Sequence, residues 1–110
     1  MTLAAKQCVP CRGGIPPLPR EDAEHLLAET PGWSLDERAT QIERSFRFPD
    51  FAEALAFVNR VGALAEHEDH HPDITFGWGY ARIVFQTHKI KGLHENDFIM
   101  AAKVNDLVGK

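Results

Sequence analysis

A chain of 110 residues is the size of one ordinary domain, because two cores drawn from it would each bury too little apolar surface to be stable. Its 44% hydrophobic and 25% charged residues exclude the profile of a disordered chain, and no apolar run approaches the roughly 20 residues that span a bilayer. The formal charge of -4, with both signs interspersed, offers no stripe to neutralise phosphates and argues against direct nucleic-acid binding.

Residues 1–19 carry Pro10, Gly13, Gly14, Pro16, Pro17 and Pro19, a density of breakers that predicts a flexible N-terminal arm, mobile or draped, ahead of a folded domain over residues 20–110. The arm lacks the long apolar stretch of a secretory signal, so a cytoplasmic location and no membrane partner are expected. Cys8 and Cys11 both lie in it. They cannot frame the fold with disulfides, and a lone CxxC without a second pair or a βαβ unit is a weak metal or redox signal.

From Arg20 to Glu29 the residues are good helix formers with acids in the first turn, and Pro31 and Gly32 stop the helix. Trp33 to Leu35 reads as a brief strand. In Gln41 to Phe48, Ile42, Phe46 and Phe48 alternate with Glu43, Ser45 and Arg47, the period of a strand with one buried face. Asp50 and Glu53 form a capping box. Phe51, Ala54, Leu55, Val58, Val61, Gly62 and Ala65 then recur at helical spacing through about Glu66. Burying a Phe, Leu or Val there stabilises the fold by about 1.5–3 kcal/mol each, which makes this stripe, with Phe57, core rather than a cofactor box.

Pro72 disfavours the α conformation at His71, so His70 and His71 fall at a helix-to-strand junction. Ile74, Phe76 and Trp78, then Ala81, Ile83 and Phe85, alternate as two strands turning near Gly79. Extending the second alternation places His88 on the face of Arg82 and Gln86, away from the core. A last helix is predicted from about Glu95 to Val108, with Asn96 or His94 as cap and Asp97 in its first turn. Val84, Met100 and Val104 are candidate contacts between copies. The fold class is α+β: a four-stranded antiparallel sheet with about three helices packed on one face, in the order α-β-β-α-β-β-α.

The segment EHEDHHPD interleaves His67, His70 and His71 with Glu66, Glu68, Asp69 and Asp73. Carboxylates beside imidazoles fix a tautomer and raise basicity, as proton transfer requires. The same residues could be a solvated helix end, or, since His67 lies three and four residues from His70 and His71, a metal site. The three-ligand signature with a carboxylate base is absent, so no metal is assigned. His88 alone reads as a surface histidine, and Asp97 as an ordinary first-turn carboxylate.

Three motifs together resemble the pterin-4a-carbinolamine dehydratase family: E-x-x-D-H-H-P at Glu66 to Pro72, T-H-x-x-x-G-L at Thr87 to Leu93, and D-F-I-M-A-A at Asp97 to Ala102. A looser match extends back to Trp33 and covers about residues 20–108. The Cys8-x-x-Cys11 arm and the stretch KIKGLHENDFIMAAK are similar to bacterial members that accompany phenylalanine hydroxylase. Ile74 stands where family enzymes often carry Trp.

The resemblance implies dehydration of 4a-hydroxytetrahydropterin to quinonoid dihydropterin, a reaction needing one acid and one base and no metal or redox cofactor. It implies a catalytic set of His70, His71 and His88. It further implies substrate-site positions at Glu66, Pro72, Thr87 and Asp97, the two acids as orienting groups. Self-association as a homodimer or homotetramer is implied too, with a functional link to phenylalanine hydroxylase. Two other functions stay open. One is a protein-binding module acting as dimerisation cofactor of a transcriptional regulator; the other, weaker, is a metal-binding protein.

Overall fold

The structure, a computed structural model, describes residues 2–10 and 13–108; Cys11, and with it the expected CxxC pair, lies outside them. The seven expected elements occur in the expected order: α1 (Arg20–Leu27), β1 (Ser34–Leu35), β2 (Ile42–Arg47), α2 (Phe51–Glu68), β3 (Asp73–Gly77), β4 (Tyr80–Phe85) and α3 (Glu95–Val108). Single 3-10 turns at Leu3–Ala5 and His88–Ile90 are added.

Asp50 caps α2 as its sequence requires, its side chain accepting the Glu53 N–H at 2.9 Å. The strands are antiparallel in the order β1-β2-β4-β3, and Ile83 of β4 faces Arg44 on one side and Ile74 on the other. Period-two alternation gathers Ile42, Phe46, Ala81, Ile83 and Phe85 on one face. There they form a single core with Ala23 of α1, Phe57, Val61 and Ala65 of α2, and Phe98 and Val104 of α3. The opposite face carries the Glu43–Arg82 ion pair, in which Nη2 and Nε of Arg82 donate to the carboxylate at 2.7 and 3.0 Å.

Two packing expectations are corrected. The buried line of α2 is Ala54, Phe57, Val61 and Ala65, so Phe51, at the helix start, and Leu55, a third of a turn round, stay exposed. Phe51 rests beside Phe76 at a ring separation of 5.7 Å. Met100 and Val104 are buried inside the monomer, as is Val84, so none of the three presents a contact to a second copy. Met100 and Val104 are buried because α3 is covered on two sides, by the sheet and by the N-terminal segment.

That segment is draped along α3. Leu3 enters the common core, the Lys103 ammonium donates to the Ala4 carbonyl at 2.9 Å, and Lys6 pairs with Glu95 at 2.8 Å. Among the described residues no helix is long and apolar enough to cross a membrane.

Candidate functional site

α2 ends where Asp69 turns left-handed (φ 54°, ψ 42°), a conformation a short polar residue tolerates better than a branched one. The His70 N–H closes the turn on the Ala65 carbonyl at 3.2 Å. This bend sends the two adjacent histidines to different environments. The His70 side chain is 10% exposed, its ring nearly parallel to that of Phe85, whereas His71 is 53% exposed.

A single buried carboxylate ties three elements to this point. Asp97, in the first turn of α3, accepts from His70 Nε2 at 2.7 Å, from the Thr87 hydroxyl at 2.8 Å and from the His94 N–H at 3.0 Å. His94 in turn accepts the Asn96 N–H on Nδ1 at 3.0 Å, so the helix start is a reciprocal cap. A buried carboxylate needs hydrogen-bond partners on both oxygens, and here three bonds supply them, one on Oδ1 and two on Oδ2. Since an ionised carboxylate only accepts, Nε2 of His70 bears the proton and Nδ1 is its open nitrogen.

His88 departs from the expected strand. β4 ends at Phe85, and Thr87 pairs with Gly92 across a tight loop, with N–H to carbonyl bonds of 2.8 and 3.4 Å; His88 therefore sits on the 3-10 turn inside it. Glycine at 92 lets the arm approach this loop, because a Cβ there would stand 2.5 Å from Cβ of Pro17. The outward direction of His88 agrees with expectation: its side chain is 69% exposed. Gln86 donates to His88 Nδ1 at 3.1 Å, which leaves Nε2 as the protonated nitrogen of the neutral ring, 4.0 Å from Asp73.

His70, His71 and His88 meet at one cavity of about 290 Å³, together with Asp69, Gln86, Thr87 and Lys89; Val9, Pro10 and Asn96 complete it. Its size lies near the lower end of the roughly 300–1,000 Å³ usual for small-molecule sites. Of the other expected site residues Thr87 lines it, but Glu66, Pro72 and Asp97 do not. Glu66 meets Nε2 of His71 from an exposed position, Asp97 lies buried behind His70, and Pro72 only shapes the junction. Ile74 packs against the core, not into the cavity. His67 points into solvent, and among the described residues no three His, Cys, Asp or Glu side chains are grouped to hold a metal ion.

Sequence reasoning did not mark Gln86, Lys89, Asn96, Val9 or Pro10 as site residues. Gln86 had a local signal, since two residues from His88 in extended chain is the same face. The arm residues had none: Val9 reaches Asn96 only through the tertiary fold. Beside Val9, burial and then the Glu68 carboxylate push the Cys8 thiol up to about 12, with Lys103 opposing.

Comparison with known proteins gives one consistent family. The model of the pterin 4 alpha carbinolamine dehydratase family matches residues 16–107, so the arm residues that line the cavity lie ahead of the match. Two curated relatives, from Methylococcus capsulatus and Cupriavidus pinatubonensis, are 62% and 60% identical. They are provisionally named pterin-4-alpha-carbinolamine dehydratases; the matches cover 99% and 96% of this chain and 96% and 90% of theirs. Among solved structures, a transcriptional coactivator/pterin dehydratase from Brucella melitensis superposes with a TM-score of 0.78 at 31% identity, over 83% of this chain and 97% of the other. A pterin dehydratase-like protein described as a RuBisCO assembly factor in the alpha-carboxysome reaches 0.62 at 28%, over 72% and 92%.

Proposed function

Because this chain belongs to the pterin 4 alpha carbinolamine dehydratase family, we propose that it dehydrates 4a-hydroxytetrahydropterin to quinonoid dihydropterin by histidine acid–base catalysis, serving an aromatic amino acid hydroxylase. The observation that carries this reading is the convergence of three imidazoles from two distant segments on one cavity, one of them held by a buried carboxylate.

In the proposed reaction the base removes the N5 proton, the C4a–O bond breaks as the acid protonates the hydroxyl, and water leaves as the N5=C4a bond forms. The steps are proton transfers, for which imidazole, with an ordinary pKa of about 6.5, suits either direction near neutral pH. His70 is the base in this reading, because its Nε2–H is committed to Asp97 and its Nδ1 is free to accept. His88 is the acid, because Gln86 occupies Nδ1 and leaves Nε2–H to donate. His71, steadied by Glu66, orients the substrate. Asp97 and Thr87 act as positioning residues.

The test is a coupled hydroxylase assay following decay of the 4a-hydroxypterin absorbance. Wild type should accelerate the decay, and His88→Ala should lose about 10²–10⁴ of the enzymic rate. Decay at the spontaneous pace with wild-type protein would end the reading.

A protein-binding role is the second reading, favoured by the exposed aromatics Trp78, Tyr80 and Phe51 and by the solved relatives described as a transcriptional coactivator and a RuBisCO assembly factor. A His70→Ala, His88→Ala double variant that captures a transcriptional regulator at wild-type strength would favour it. Self-association as a dimer or tetramer belongs to the same proposal and is read by sedimentation.

A further inference from the structure

Of the residues that line the cavity, seven besides Asn96 belong to the histidine-bearing turns, and every one of them is polar. Val9 and Pro10 are the only apolar residues among the described ones that line it. A site for a planar heterocycle needs such a surface, because ring faces gain little from polar groups that must give up water to meet them.

The arm is fixed as a built wall would be. The Val9 N–H donates to Asn96 Oδ1 at 3.0 Å, and Asn96 Nδ2 donates back to the Val9 carbonyl at 2.7 Å. One side chain, 1% exposed, thus offers the backbone the two bonds that a neighbouring strand would. The Cys8 N–H donates to Glu68 Oε1 at 2.9 Å, and its thiol approaches the Asn96 carbonyl at 3.8 Å. Lys6, Ala4 and Leu3 are anchored upstream as described above. Ordering backbone costs entropy at every residue, yet the Val9 side chain so carefully placed remains 56% exposed. Burial of the Val9 side chain does not account for that order, and its exposed face lines the cavity.

We infer that residues 8–10 form the apolar wall of the substrate site, with Val9 and Pro10 packing against the bound heterocycle and Asn96 as the positioning residue that fixes them. The inference rests on the proposed pterin reading. It assigns the arm to binding and not to proton transfer, because Asp97 and the three imidazoles are bonded independently of Val9.

The probe is an oxidised, fluorescent pterin titrated by fluorescence, alongside steady-state kinetics and amide exchange by NMR. Val9→Gly keeps both backbone bonds and removes the contact surface. It should weaken probe binding about fivefold and raise KM alike, with kcat unchanged within about twofold and the Val9 amide exchanging as before. Asn96→Ala should weaken binding too, and should in addition speed exchange of the Cys8 and Val9 amides. Wild-type affinity in Val9→Gly overturns the wall whatever Asn96→Ala does, and leaves the functional reading standing. A wild-type protein that leaves the probe unbound overturns the functional reading, and the wall with it.

Discussion

Asn96 and Asp97 are adjacent in the first turn of α3, and their side chains hold two different parts of one cavity: Asn96 the backbone of Val9 through both ends of its amide, Asp97 the ring of His70 at 2.7 Å. Successive helical residues point about 100° apart, so one rigid turn can serve two clients without moving either when it serves the other. The reciprocal cap between His94 and this turn gives both side chains a fixed origin.

Replacing Asp97 by Asn tests the tautomer argument. The amide oxygen still satisfies Thr87 and His94 if its nitrogen faces His70, but that nitrogen is a donor and meets a donor, so His70 must shift its proton to Nδ1. The base is then blocked with the fold preserved. Asp97→Asn should lose about 10²–10⁴ in kcat at little cost in melting temperature. Asp97→Ala, which orphans one buried and two partly buried donors, should also destabilise by about 3 kcal/mol in urea. Activity retained in Asp97→Asn would sink the assignment of His70 as base.

The histidines should separate by stability even where they agree in activity. His71→Ala and His88→Ala remove exposed rings, and each should change the unfolding free energy by less than about 0.5 kcal/mol. His70→Ala leaves a buried carboxylate oxygen without its donor and should cost roughly 1–3 kcal/mol. Equal losses for all three in urea melts would contradict the burial described.

How far the sequence carried this picture depends on whether a signal was local. The Asp50 cap, the Pro72 junction and the alternation in β2, β3 and β4 are written within a few residues of where they act, and each element appeared where its pattern lay, save that Trp78, expected to continue the β3 alternation, falls in the turn after Gly77 and is exposed. His88 was expected on an extended strand, because nothing nearby announces that Thr87 and Gly92 pair; the need for glycine at 92 comes from Pro17, far back in the arm. Met100 and Val104 looked like surplus apolar residues only because the cover that the arm gives α3 is invisible to periodicity. Val9 and Asn96 are the extreme case: a valine beside prolines and an asparagine in a helix cap carry no mark of each other.

Cys8 gives a prediction on the alkaline side. Burial first and Glu68 second hold its thiol up to about 12, against an ordinary value of 9.0. In a Cys11→Ser background Cys8 should react with iodoacetamide at pH 8 roughly tenfold or more slower than in the urea-unfolded chain, since the thiolate is the reacting form. The same shift works against the fold at high pH. Between about 9 and about 12 the unfolded chain has released a proton that the native one retains, so stability falls as pH rises, and Cys8→Ala should flatten that decline. A thiol alkylated equally fast in both states would refute the burial and charge argument.

Asp36 contributes to the acid limb. Its carboxylate sits in the turn between β1 and β2 and accepts the Thr40 N–H at 2.7 Å, the Gln41 N–H at 3.0 Å and the Thr40 hydroxyl at 2.8 Å. Burial taken alone would raise its pKa, but the hydrogen bonds from Gln41 and Thr40 together outweigh it and hold the group below its ordinary 3.8. A carboxylate lowered in the native state binds fewer protons there than when unfolded, so its stabilisation is complete above 3.8 and disappears as pH falls through the native value. Asp36→Ala should therefore cost about 1–2 kcal/mol in urea unfolding at pH 7, where the turn loses its acceptor, and progressively less as the pH falls below 3.8 through the native value and the wild-type acid is protonated too. Glu43, held down by Arg82 across the strands, bends the wild-type curve in the same direction, so the comparison is made between variant and wild type at each pH, where that shared term cancels. A penalty for Asp36→Ala that stayed constant from pH 7 to well below 3.8, through the whole acid limb, would mean the turn is held by shape and not by the charge of its acceptor.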